Sequence, residues 1–279
     1  MTVLLAGLCT VDLVQRVAEL PSPGEKVQSL AVEVAAGGPA TNAAVTVAAL
    51  GEEAVLVTAL GTHPLAGLAR ADLAAHGVRV VDTAPGRAEP PAVSAVAVRD
   101  RDGERTVVSR NAARIEGAMP SEIPDDVRVV LVDGHLPRLA LGVARWARER
   151  GIPVVLDAGS WKPVLEELLP LVDIAACSAH FRAPGPGLRE RGVPTVVVTA
   201  GPGPVRWETV DDAGEIDVPE VRALDTLGAG DVWHGALACG VGRFGLPEAI
   251  RFANEVAAEK VRHAGPRAWV PEVAKWGVR

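Results

Sequence analysis

Apolar residues along this chain fall into two alternating rhythms. Short runs rich in β-branched residues, at 3–7, 55–60, 127–133, 154–157, 174–177 and 195–199, predict buried strands. Between them, stretches with apolar positions three and four apart, at 39–50, 65–76, 139–150, 162–171 and 187–191, predict helices. Strands alternating with helices build βαβ units, so the pattern predicts an α/β fold: a doubly wound, mostly parallel sheet flanked by helices. The unit is plainest in VRVVLVDGHLPRLALGVARWARERGIPVVLDAG, where apolar strands sit on either side of a helix closed by Gly151.

Two segments, about 11–35 and 91–111, break this rhythm. Each alternates like a strand pair around a turn signal, Pro23-Gly24 or Asp102-Gly103, with no helix between. They are expected to pair as a small antiparallel β-sheet lid over the edge of the main sheet, placed to close over a ligand. Neither an internal repeat nor a long linker is visible, so residues 1–279 read as a single domain with that lid.

Composition narrows the setting. Of 279 residues, 48% are hydrophobic, ample for a buried core, and the net charge of −7 is spread with both signs interspersed. That balance argues against a nucleic-acid or anionic-membrane partner. Cys9, Cys177 and Cys239 lie far apart in apolar surroundings without metal-ligand spacing, and read as buried thiols of a reducing compartment. Without an export signal or a confident membrane span, a cytoplasmic location is expected.

The chemistry concentrates in Asp225-Thr226-Leu227-Gly228-Ala229-Gly230-Asp231, which feeds the apolar run VWHGALACGV. A glycine turn opening a helix gathers free N–H groups at the positive end of the helix dipole, and so makes an anion site. A carboxylate there is unfavourable beside a phosphate unless it accepts a proton, a combination that suggests phosphoryl transfer to a hydroxyl. A tight turn followed by an Asp cap reads equally from these residues alone. A second segment, Gly37-Gly38-Pro39-Ala40-Thr41-Asn42, offers close backbone approach and an amide suited to hydroxyls, or else a local glycine turn. Asp12 follows the first strand, at the carboxyl edge where such sheets bind ligands, and a solvated loop aspartate is its plain alternative. No GxxxxGK[ST] occurs, which argues against a Walker-type ATPase.

Together, GGPATNAAVTVAALG and DTLGAGDVWHGAL resemble the two signatures of the PfkB-type, ribokinase-like sugar kinases. The resemblance spans nearly the whole chain and extends to Asp12, Leu60-Gly61, Val198-Thr199-Ala200-Gly201 and Arg251-Phe252-Ala253-Asn254. GGPATNAA, the Cys177-Ser178 turn and the closing FANEVAAEKVRHAGPRAWVP look most similar to the ketohexokinase and sulfofructose-kinase branch. The resemblance implies an ATP-dependent kinase acting on a hydroxymethyl group of a small sugar, a ketohexose or related acidic sugar. It implies Asp231 as general base, with the N–H groups of Gly228, Ala229 and Gly230 stabilising the transferring phosphoryl group. It places Asp12, Gly37, Gly38 and Asn42 on the sugar, and Thr199, Gly201, Asp225, Thr226 and Asn254 around the nucleotide. It also implies a homodimer formed through the lid.

Some positions depart from the family pattern. Ser178-Ala179-His180-Phe181 stands where many members carry Asn-x-x-Glu, so Mg²⁺ is expected to be held mainly by nucleotide phosphates and water, with no protein metal ligand assigned. His63 replaces the usual Asp of a Gly-x-Asp turn and reads as a surface loop residue. Arg110 and His135, and beyond them Arg138 and Lys162, are placed to reach a substrate or phosphate, or to be ordinary loop charges. A nucleoside kinase on the same scaffold is a rival reading, disfavoured because neither lid segment holds an aromatic residue to stack on a base. A binding or regulatory protein without catalysis is a second, disfavoured by the intact Asp231.

Overall fold

The computed structural model describes residues 1–112 and 115–277. Strand β1 (Thr2–Ala6) leads into two lid strands, β2 (Thr10–Val17) and β3 (Ser29–Gly37). Helix α1 (Pro39–Ala49), β4 (Glu53–Thr58), α2 (Pro64–Ala75) and β5 (Val78–Asp82) follow, then the other two lid strands, β6 (Ala92–Arg99) and β7 (Arg105–Arg110). The second half runs β8 (Val127–Val132), α3 (Pro137–Glu149), β9 (Val154–Ala158), the short α4 (Leu165–Leu168), β10 (Ile174–Ser178) and β11 (Thr195–Ala200). It closes with β12 (Gly203–Glu208), β13 (Ala213–Ile216), α5 (Ala229–Val241), α6 (Leu246–Val261) and α7 (Val270–Ala274).

The main sheet has nine strands in the order β13-β12-β11-β10-β9-β8-β1-β4-β5, parallel except for the β12–β13 hairpin at one edge. Period-two alternation splits its side chains between two cores. Val3 and Leu5 of β1 face α1, α2, α5, α6 and α7, whereas Leu4 and Ala6 face α3 and α4. Prolines at the first turns of α1, α2, α3, α6 and α7 suit positions where a missing N–H costs nothing. No helix among the described residues is long and apolar enough to cross a membrane.

The lid is a four-stranded sheet, β3-β2-β6-β7. It departs from the expected all-antiparallel arrangement, because β2 and β6 pair in parallel, Thr10 opposite Ala92 through Val17 opposite Arg99. The two hairpins are separated by the α1–β5 excursion, and that long return brings β6 alongside β2 in the same direction. Two expected helices also change. Residues 187–191 form turns, since a five-residue run between Pro186 and Gly192 is too short to nucleate a helix. The helix expected over 162–171 contracts to α4 and a 3₁₀ turn at Leu169–Leu171, where Pro170 lacks the N–H that an α-helix would need. Strands β5, β12 and β13 went unread in the sequence because they are short edge elements of mixed polarity.

One close approach governs the site. A Cβ on Gly235 would lie 2.6 Å from the Ala43 carbonyl oxygen, so only glycine lets α5 settle onto the alanine-rich face of α1. The two helices thereby bring Asn42 and Asp231, 189 residues apart in sequence, within hydrogen-bond reach.

Candidate active site

Gly228 caps α5 in the left-handed conformation, with φ of 73°. An L-residue is strained there, which explains the glycine and turns the chain sharply into the helix. The Ala229 N–H donates to the Thr226 carbonyl at 3.2 Å. Of the three amides expected to form the anion cradle, that of Ala229 is therefore engaged within the turn, leaving Gly228 and Gly230 as the candidates.

Asp231 sits in the first turn of α5, where Asn42 Nδ2 donates to its Oδ2 at 2.8 Å. Burial pushes its carboxyl up to about 7, helped by the charge of Asp157 and opposed by the Asn42 hydrogen bond and His234. Such a group changes protonation near neutrality, the range in which a general base works best. Asn42 is itself anchored, its Oδ1 accepting from Arg267 Nη1 at 3.2 Å. Arg267 in turn donates to Asp72 Oδ2 from Nε (3.2 Å) and Nη2 (2.9 Å), and to the Ala36 carbonyl. An amide offers two donors and an acceptor oxygen with two lone pairs, so Asn42 keeps capacity for a hydroxyl beyond its contact with Asp231.

Asp12 lies on β2 beside this pair, with Thr10 Oγ1 donating to its Oδ1 at 2.5 Å. Burial raises its carboxyl above the usual range, while hydrogen bonds from Thr10 and Ser94 and the Arg267 charge oppose that rise. A Cβ on Gly37 would strike Asp12 Oδ2 at 1.9 Å, and one on Gly38, where φ is 97°, would strike the Leu8 carbonyl at 2.5 Å. Both glycines are thus demanded by close approach to the chain around Asp12 and Leu8.

Beyond the turn, a cleft of about 870 Å³ is lined by Thr199, Gly201, Thr226, Ala229, Gly230 and Trp233, among others. That size suits a small-molecule ligand. Two residues expected around the nucleotide prove to act from behind the surface. Asp225 is buried, and its carboxylate accepts from Arg16 Nη2 (3.1 Å), Leu227 N (2.9 Å) and Gly265 N (3.0 Å), with Lys260 Nζ 3.7 Å away. It clamps the turn and does not face the cleft. Asn254 borders the cleft, its Oδ1 accepting from Trp233 Nε1 (2.8 Å) and its Nδ2 donating to the Asp217 carbonyl (3.0 Å), bonds that hold the wall in place.

Arg110 ends β7 exposed, opposite Val93 of β6, with no side-chain hydrogen bond or ion pair among the described residues. His135 is half-buried, and its N–H donates to Asp133 Oδ1 at 2.9 Å. Burial holds its ring below the usual histidine range, against the pull of Asp133. At the replaced Asn-x-x-Glu positions, Ser178 Oγ donates to the Gly159 carbonyl (3.3 Å) and Phe181 packs against Trp161. His63 caps α2, its Nδ1 accepting from Leu65 N at 3.2 Å.

Several residues here escaped sequence reading. Arg105 of β7 lines the cleft and donates from Nη1 to Thr226 Oγ1 at 2.9 Å. Asp133 ends β8 buried and accepts from Leu8 N (2.8 Å) and Ala40 N (3.3 Å), tying β1 to α1. Asp157 and His234 form a buried ion pair at 2.9 Å. Asp133 and Asp157 carried one available signal, a carboxylate at the carboxyl end of a parallel strand. Arg105 and Arg267 carried none.

The family model described as pfkB family carbohydrate kinase matches residues 2–273. The Bacillus subtilis ribokinase is 24% identical over 95% of this chain and 94% of its own length. The ATP-dependent ribose-1-phosphate kinase of Halopiger xanaduensis is 28% identical over 95% and 94%. In three dimensions, the Arabidopsis thaliana ribokinase complexed with ribose and ATP superposes with a TM-score of 0.73 at 22% identity, over 98% of each chain. None of these three is a ketohexokinase, so the branch suggested by the sequence finds no support among them. With a match across nearly its full length, the chain belongs to the pfkB family of carbohydrate kinases.

Proposed function

We propose that this kinase transfers the γ-phosphoryl group of ATP to a hydroxymethyl group of a small sugar, with Asp231 as the general base. The observation that carries the reading is Asp231 itself: a carboxyl poised near neutrality, fixed by Asn42, at the helix start beside the cleft. The substrate hydroxyl gives its proton to Asp231 as its oxygen attacks the γ-phosphorus, and ADP departs. Charge on the transferring group is met by the Gly228 and Gly230 amides and the dipole of α5. Phosphoryl transfer asks chiefly for such positioning and electrostatic stabilisation. A magnesium ion, where the reaction uses one, would be held mainly by the nucleotide phosphates and water and would offset phosphate charge. Among the described residues no three His, Cys, Asp or Glu side chains gather into a metal-holding group.

The chain's likeness to a ribokinase and a ribose-1-phosphate kinase favours a pentose over a ketohexose. Asp12, Gly38 and Asn42 supply acceptors and close backbone for its hydroxyls. The lid strands contain no Phe, Tyr or Trp, which favours a sugar over a nucleoside. A lid-mediated homodimer is supported by Leu30, Val32 and Val34, which expose one apolar stripe along β3. ADP release over a panel of pentoses, ketohexoses, sugar phosphates and nucleosides, with Asp231→Asn alongside, tests the reading. Turnover on a pentose that falls about 10²-fold or more in Asp231→Asn is expected; a variant as active as the parent sinks the base assignment.

A further inference from the structure

Asp231, itself half-buried, has a charged pair behind it in the core. His234 lies three residues further along α5, on the same face of the helix. Its Nδ1 sits 2.9 Å from Asp157 Oδ2 near the end of β9, and both side chains are 5% exposed. The contact is off the line of a well-formed hydrogen bond, so charge, more than directed bonding, holds the pair. A buried carboxylate without a cation is strongly disfavoured, and two of them near one another more so.

We propose that His234, kept as an imidazolium by Asp157, is a positioning residue that shields Asp231 from the Asp157 carboxylate and so sets the pH at which the base becomes available. This rests on Asp231 being the base. Burial alone would drive the imidazole neutral, but Asp157, Asp231 and the Ala176 backbone outweigh it and raise the ring above its usual range. Asp157 falls below the usual carboxylate range because His234, Lys162 and His135 oppose its burial.

The charged and titratable surroundings are distinct on each side. Asp231 feels Asp157 and Asp12 as like charges, with His234 and the neutral Asn42 opposing. Asp157 is also faced by Lys162, on the loop after β9, and by His135, on the loop after β8. His135 in turn feels Asp133. Arg267 acts on Asp12 from the lid side. His234 is the cation on α5 whose charge acts on both acids, in contact with Asp157 and three residues along the helix from Asp231.

The test joins a direct measurement to a pH profile. In the wild-type protein, ¹⁵N shifts of the labelled histidines, six in all, should show one ring still cationic at pH 7.5, where ordinary imidazoles are neutral. Its resonance is assigned in the wild type by through-bond correlation of the ring to the His234 backbone, so no variant is needed to read it. In His234→Gln the acid limb of kcat/KM should move up by roughly one pH unit, giving about tenfold lower activity on the limb and recovery at alkaline pH. Asp157→Asn/His234→Gln removes the repelling charge as well and should bring the limb back down. A neutral His234 ring in the wild type, or a rate loss uniform across pH, overturns the proposal, and the ring measurement decides it even if the variants fail to fold. Turnover surviving in Asp231→Asn would instead sink the base reading, a separable outcome.

Discussion

At the scale of single residues, the site is a set of carboxylates in unlike surroundings. Asp225 is fully partnered and structural, Asp157 is ion-paired, and Asp231 is left titratable near neutrality. Two consequences follow for Asp231. The kcat/KM profile should rise with pH through about 7, because the base must be ionised to accept a proton. Stability should respond in the opposite direction. The folded state holds this proton to higher pH than the unfolded chain does, so its contribution is full below the unfolded carboxyl value of about 3.8 and is lost as pH rises through about 7. Asp231→Asn cannot ionise and should melt at a higher temperature than the wild type at pH 8, with the gap closing towards pH 4. Thermal unfolding at the two pH values checks this, and a gap that widens on acidification would contradict it.

At the scale of elements, the α1–α5 contact matters more than either helix. Gly235 is unremarkable as a helix residue, yet the Ala43 carbonyl leaves no room for a side chain. Gly235→Ala should cost about 1–3 kcal/mol through overpacking. It should also lower kcat by parting Asn42 from Asp231, whereas Gly230→Ala, with open space around its Cβ, should leave the melting temperature nearly unchanged. Paired melts and rates of the two variants distinguish a packing effect from a general intolerance of alanine in α5. The two signature segments were legible in sequence because they occur together, each at a predicted helix start; either alone reads equally as a glycine turn and cap. Gly235 was not, because a helical glycine announces neither its neighbour nor the distance.

At the scale of the whole molecule, the lid and the glycine-rich turn before α5 are mechanically joined. Arg16 of β2 bonds Asp225, Arg105 of β7 bonds Thr226, and Leu227 packs on Val14, Val96 and Val98 of the lid. A movement of the lid therefore reaches the turn directly. Arg105→Ala should raise the KM for ATP more than that for the sugar, since the guanidinium borders the cleft proposed to take the nucleotide. Steady-state kinetics with each substrate varied will show it, and equal changes in both would argue for a general loosening of the lid. Val32→Asp, on the exposed stripe of β3, should convert a dimer to a monomer in light scattering with the fold intact.

The sequence by itself determined the alternation of strands and helices, the two interrupting lid segments and the two glycine-rich helix starts. These are local properties, written in period, turn residues and caps. Tertiary structure alone decided which charges meet. It turned Asp225 inward onto Arg16 and Lys260, set Arg267 behind Asn42, and paired His234 with Asp157. Such pairings join residues tens to hundreds of positions apart. Their energies depend on burial and distance, which no local pattern along the chain records.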